Sequence, residues 1–219
     1  MATSPLMRSA KSVVVFDFET TGLSPNNGDR TIEVGAVLIE NGRITDRFQR
    51  LMNPGIRIPV FVENLTGITN HMIAEADSCP AVFKEFSEFV AGHNLVAHNA
   101  SFDERFLRAE YKRAKIEISH SIGCSLLLSR RILPMASSHS LSNLALQYQL
   151  PSDGNYHRAL ADAEVTAHLW LMLCDRLQAK QGFNFIPFSL MLELSKTARH
   201  KLSRVYDEWH QQSSPIPAI

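Results

Sequence analysis

Val13-Val14-Val15-Phe16-Asp17-Phe18-Glu19 is a run of β-branched and aromatic residues with two acids set into its end, and it stops at Thr20-Thr21-Gly22. Such a run predicts a buried strand. Asp17 and Glu19 are two positions apart, so on a strand both carboxylates point to the same face, about 7 Å apart along it. Two anions at the end of an apolar strand repel each other and lose hydration unless a positive charge is supplied. No Lys or Arg lies close by in sequence. A hard divalent ion such as Mg²⁺ or Mn²⁺ is one compensation that carboxylates select; the alternative is a pair that merely ends the strand at the surface.

Outward from this strand, Ile32–Glu40 predicts a second one, and Asn41-Gly42 is a strong hairpin signal leading to a third strand that begins near Ile44 and ends before Asn53-Pro54-Gly55. Pro80 followed by Val82, Phe83, Phe86, Phe89 and Val90 has helical spacing closed by Gly92. Leu95-Val96-Ala97 is a short strand, Phe102, Phe106 and Ala109 open a further helix, and a fifth strand fits within 116–124. Helices then fit 125–133, 140–149 and 158–178. Strands come first and alternate with helices only later, so the expected class is α/β with a mixed five-stranded sheet.

Two more acids fall at informative places. Asp103 lies in the first turn of the helix after Leu95–Ala97, where the helix dipole also favours a carboxylate. Asp162 lies on the long helix whose apolar side includes Ala159, Val165, Leu169 and Leu173. His157 precedes it by five residues, about 140° around a helix, so the two share no face if both are helical. His157 is therefore expected at the helix entrance, after Asp153-Gly154-Asn155.

Composition narrows the class. Of 219 residues 45% are apolar and 20% charged, which excludes a disordered chain. The 22 Lys and Arg cancel the 22 Asp and Glu, so net charge argues for no polyanion coat and no polybasic membrane patch. Cys79, Cys124 and Cys174 form no C-x-x-C pair and suit free thiols in a reducing compartment. The longest apolar run, Leu169–Cys174, is far below the ~18 residues of a membrane span. With no signal-peptide pattern at the start, a soluble, cytoplasmic protein without membrane partners is expected. No Walker A loop, G-x-G-x-x-G or G-x-S-x-G element is present. Residues 1–10 read as a flexible end, 11–178 as the main domain and 179–219 as a C-terminal helical extension. Within the last, Met191, Leu194, Ala198, Leu202, Val205 and Trp209 draw one stripe along a single helix from about Ser189 to His210. The stripe is expected to dock on the main domain, with the basic face of Lys196, His200 and Arg204 a minor phosphate contact.

Three segments in this order carry a family resemblance. Phe16-Asp17-Phe18-Glu19-Thr20-Thr21-Gly22-Leu23 resembles the first motif of the DEDD exonuclease superfamily, and His98-Asn99-Ala100-Ser101-Phe102-Asp103 the second. His157-Arg158-Ala159-Leu160-Ala161-Asp162 resembles the third in its histidine variant, and Asn64-Leu65-Thr66-Gly67-Ile68-Thr69 looks like a loop of the same family. The likeness covers roughly 12–178 and is nearest the proofreading (epsilon) subunits of bacterial replicative DNA polymerase. It implies a ribonuclease H-like fold and two divalent metal ions, Mg²⁺ or Mn²⁺, held by Asp17, Glu19, Asp103 and Asp162, with His157 as general base. It also implies that Thr20, Thr21 and Leu23 line the path of the terminal nucleotide, that Leu65 and Thr66 press on its base, and that His98 and Asn99 support the second motif. The activity implied is 3′→5′ hydrolysis of DNA from a single-stranded or frayed 3′ end, in proofreading or repair, with a polymerase subunit as a partner. RNA 3′-end trimming and a non-catalytic polymerase-associated subunit are the alternatives. One departure stands: relatives often end the fifth strand with Asp-Thr, whereas this chain has Gly123-Cys124-Ser125.

Overall fold

The computed structural model describes residues 5–152, 154 and 157–213. Five strands, β1 (Val13–Thr20), β2 (Thr31–Glu40), β3 (Arg43–Leu51), β4 (Asn94–Ala97) and β5 (Ile122–Cys124), form one mixed sheet in the order β3-β2-β1-β4-β5. β1 to β3 are antiparallel neighbours, while β4 and β5 run parallel to β1. Asn41 and Gly42 both take positive φ (52° and 81°), the tight hairpin turn that their identity requests.

Alternation along β1 assigns its residues to opposite faces. Val14, Phe16 and Phe18 pack under α3 (Cys79–Phe89) and α4 (Ser101–Ala114), against Phe83, Phe86, Phe106 and Tyr111. Val13 and Val15, with Val37 and Ile39 of β2, pack under the long helix α7 (Ala159–Gln181), against Leu169, Trp170 and Leu173. Each such apolar side chain removed from water contributes about 1.5–3 kcal/mol, so the two clusters fix the sheet between its helices. Asp17 and Glu19 continue the Val13–Val15 face and therefore look toward the start of α7.

Four expectations are corrected. The segment 64–69 is no loop. Asn64, Leu65 and Thr66 close helix α1 (Val60–Thr66), Gly67 caps it at φ +72°, and α2 (Asn70–Ala74) follows, with Thr69 Oγ1 accepting the Met72 N–H. These helices are too short to build a periodic signal. Residues 5–10 are not a loose end, because Ala10 is buried, its carbonyl accepts the Trp170 indole N–H at 2.7 Å, and Arg8 O accepts Phe188 N–H at 2.9 Å. Residues 1–4 lie outside the described residues. The boundary expected at 178 falls inside α7, and Phe183, Ile186, Phe188, Met191, Leu194, Leu202 and Val205 share the core cluster of Trp170. The tail, finally, is two helices, α8 (Phe188–Lys196) and α9 (Leu202–Ser213). Thr197 and Ala198 between them are extended, and Arg131 Nε donates to the Thr197 carbonyl at 2.6 Å, capturing an acceptor that a continuing helix would need. Ala198 is exposed and leaves the stripe, and Lys196, His200 and Arg204 are not on one helix.

The remaining helices are α5 (Ser125–Ile132), which follows β5 directly, and α6 (Leu141–Tyr148). Among the described residues no helix is long and apolar enough to cross a membrane.

Candidate active site

Four carboxylates reach one region from three elements. Asp17 and Glu19 come from the end of β1, Asp103 from the first turn of α4, and Asp162 from the first turn of α7. Asp103 is almost fully buried, and its Oδ1 accepts the Phe18 N–H at 3.2 Å, so the second motif is tied to the strand between the two acids of the first. Glu19, His157 and Asp162 each offer a ligand atom, and these atoms lie within 4.8 Å of one another. Asp17, His157 and Asp162 line a cavity of about 370 Å³ together with His98, Leu141 and Ser142.

Crowding of like charge in a dehydrated place raises proton affinity. Burial, then Asp103, Glu19 and Asp162, hold the Asp17 carboxyl well above the usual carboxylate range. Burial and the nearby Asp162 and Glu33 push Glu19 up to about 8, with Arg158 opposing. Burial alone pushes Asp103 to about 8. Without cations the cage keeps protons that a divalent ion would displace. The donor set is oxygen-rich with one imidazole, which fits Mg²⁺ or Mn²⁺.

His157 precedes α7 with φ +65°, and its N–H donates to Asp162 Oδ2 at 3.1 Å. That left-handed turn is how two residues five apart, on different faces of an ideal helix, come together. The ring is exposed, and it stands among the candidate ligands. Asp153 and Asn155, expected to form its approach, lie outside the described residues. His98 follows β4, where its Nδ1 accepts from Ser125 Oγ at 2.9 Å and its Nε2–H donates to the His139 carbonyl at 3.0 Å. Burial lowers it to about 4, so it is a neutral wall of the cavity. Asn99 turns the chain into α4 at φ +61°.

Of the residues expected to line the nucleotide's path, only Leu23 (78% exposed) and Leu65 (54%) offer side chains to solvent. Thr20, Thr21 and Thr66 are buried. Thr20 Oγ1 donates to Gly22 O, Thr21 Oγ1 accepts Arg30 N–H, and Thr66 Oγ1 donates to Val62 O. Their hydroxyls are committed to backbone partners, and none of the three lines the cavity.

Residue reading missed Glu33, Gly35 and the role of Arg158. Glu33 is fully buried and sits opposite Glu19 in the β1–β2 register, as Gly35 sits opposite Asp17. Arg158 donates to Glu33 through Nη2 (2.8 Å) and Nε (3.2 Å). An acid and a glycine inside the apolar stretch Ile32–Val37 were the available signal.

The sequence model of the RNase_T family, described as an exonuclease, matches residues 14–170. Over 194 residues, 87% of the chain, the sequence is 37% identical to the 3′-5′ exonuclease DinG of Bacillus subtilis, and covers 20% of that protein. It is 39% identical over 165 residues (75% of the chain) to the PolC-type DNA polymerase III of Caldanaerobacter subterraneus, covering 12% of it. The chain thus spans a fifth or less of the length of these curated relatives. Among solved structures, Exonuclease X in complex with 5′-overhanging duplex DNA superposes with TM-score 0.64 at 24% identity, over 84% of this chain and 99% of that one. The nuclease domain of 3′hExo, a DEDDh family member bound to rAMP, gives 0.66 at 20% identity, over 81% and 96%. Both share the ribonuclease H-like fold.

Proposed function

The chain belongs to the RNase_T exonuclease family, and from that premise we propose that it is a metal-dependent 3′→5′ exonuclease that removes 5′-mononucleotides from the 3′ end of DNA. Support comes above all from one observation: Glu19, His157 and Asp162 converge on one another, and His157 and Asp162 share a cavity with Asp17. A non-catalytic module has no evident use for four gathered carboxylates, among which Asp103, Glu19 and Asp162 raise the proton affinity of Asp17.

In this reading Asp17, Glu19, Asp103 and Asp162 hold two divalent ions, whose charge the four carboxylates balance. When bound, such ions neutralise the phosphate, lower the pKa of water and stabilise the leaving 3′-oxygen. The protein does the rest. Asp103, fixed to Phe18 N–H, keeps α4 in register with β1. Asp162 accepts the His157 N–H, which sets the imidazole at the cavity rim. From there His157 takes the proton of the attacking water and passes it to solvent, as an imidazole general base does. His98, neutral and locked by Ser125 and the His139 carbonyl, adds no charge to the wall. Leu23 and Leu65 give apolar contact to the terminal base and sugar.

DNA is favoured over RNA because the sequence relatives are a 3′-5′ exonuclease named DinG and PolC-type DNA polymerases. The same relatives make attachment to a polymerase or a larger repair enzyme the natural setting. End-labelled single-stranded DNA, duplex DNA and RNA, incubated side by side with Mg²⁺ and with Mn²⁺, test the proposal. Mononucleotides released from DNA 3′ ends are expected. Faster decay of RNA would move the assignment to 3′-end trimming, and no decay of any of the three would leave the binding-subunit alternative.

A further inference from the structure

Glu33, fully buried, accepts four hydrogen bonds among the described residues, yet it belongs to none of the three motifs. Its Oε1 accepts from Gln49 Nε2 (2.8 Å) and Arg158 Nη2 (2.8 Å), and its Oε2 from Arg158 Nε (3.2 Å) and the Ala159 N–H (3.0 Å). Ala159 is the first residue of α7, and the N-cap residue Arg158 supplies no side-chain cap of its own. An orphan N–H at a helix start carries partial positive charge and is stabilised by an anion. Here the anion comes from β2, across the chain. A bidentate carboxylate–guanidinium pair adds angular precision that a single bond lacks.

The surroundings leave this helix start one place to sit. A Cβ on Gly35 would lie 2.0 Å from Leu160 N and 2.1 Å from Ala159 C, so the first turn of α7 rests directly on bare backbone. Glu33 and Gly35, two apart on one face of β2, thus form a bolt and a seat. Their cross-strand partners are Glu19 and Asp17. From the bolt the chain leads straight to the chemistry. His157 precedes Arg158, and Asp162 N–H donates to Arg158 O at 3.0 Å, an early bond of α7.

We propose that Glu33 is a positioning residue, which through Arg158 and the Ala159 N–H fixes His157 and Asp162 against Asp17 and Glu19. The proposal rests on the exonuclease reading for its purpose, but the metal affinity of the free protein tests it without any nucleic acid. Partners behind metal ligands are worth roughly 10–100-fold in affinity or activity. Glu33 and Arg158 bind no substrate in this scheme, so KM should stay within about threefold while kcat falls.

The experiment compares Glu33→Gln, Arg158→Gln and, as a matched destabilisation, Val37→Ala, a fully buried residue on the same face of β2 under α7. Mn²⁺ affinity is read from the electron paramagnetic resonance signal of free Mn²⁺, and kcat and KM from a single-stranded DNA oligonucleotide, well below each melting temperature. Both clamp variants are expected to lose about 10–100-fold in Mn²⁺ affinity or kcat, while Val37→Ala melts earlier and keeps both. Wild-type affinity and kcat in the clamp variants, or equal losses in Val37→Ala, would overturn the proposal. Should Glu33→Gln fail to fold, Arg158→Gln decides by the same readouts, because Arg158 is partly exposed. Wild-type protein that binds Mn²⁺ but degrades no nucleic acid would remove the exonuclease reading, and the affinities of the variants would still decide the clamp.

Discussion

Stripping the site of divalent ions should give the protein an unusual pH dependence of stability. In the ion-free fold Glu19 is pushed up to about 8 by burial and neighbouring acids and Asp103 to about 8 by burial, whereas their ordinary values are 4.5 and 3.8. Between these values the folded state binds more protons than the unfolded state. The stabilisation is therefore complete below about pH 4 and is lost as pH rises through about 8. Each group contributes a slope of up to about 1.4 kcal/mol per pH unit, so the pair reaches about 3 kcal/mol per unit at most. For a chain of this size that is roughly 6–12 °C of melting temperature per unit. His98, lowered to about 4 by burial, has the opposite sign, because its neutral folded form is penalised as pH falls from 6.5 toward 4. The clean window is pH 6.5–8, where only the carboxylates act. Thermal melts in EDTA should fall across this window. With Mg²⁺ or Mn²⁺ at about 100 times its dissociation constant, about 2.7 kcal/mol should return, and more toward pH 8, where the ion no longer competes with protons. Glu19→Gln in EDTA should flatten the slope, since it removes one raised carboxyl and one of the charges that raise Asp17. A melting temperature in EDTA that is level or rising from pH 6.5 to 8 would refute the reasoning.

Further outcomes follow from single contacts. Asp17→Ala or Asp162→Ala should abolish hydrolysis of end-labelled DNA while far-ultraviolet circular dichroism stays native, and EDTA should do the same to the wild type. His157→Ala should slow release of mononucleotides by roughly 10²–10⁴-fold with Mn²⁺ binding weakened less, and the wild type should leave closed circular DNA intact. Gly35→Ala should lower both melting temperature and kcat, since the added methyl overlaps the backbone of Leu160. Removal of 186–219 should lower melting temperature and solubility in a thermal scan, because Phe188, Met191 and Leu194 share the core of Trp170.

The apolar run that opens Val13–Glu19 was enough to determine a buried strand with two acids on one face, and helical spacing placed Asp103 and Asp162 in their helices. Those are local properties, set by the periods of strand and helix, and they are legible within a window of a few residues. The short helices Val60–Thr66 and Asn70–Ala74 offered too few turns for that period to register. The break at Thr197 depended on Arg131, 66 residues away. The inward turn of Thr20, Thr21 and Thr66 was likewise decided by backbone partners that motif reading does not see. The Glu33–Arg158 bond joins residues 125 apart, and nothing in either neighbourhood asks for the other. The sequence determines which groups are near each end of an element. Which ends meet is decided by the sheet register that sets Glu33 beside Glu19 and by the bare backbone at Gly35 that lets α7 settle there, because only the assembled fold satisfies a buried charge and an uncapped helix start with the same carboxylate.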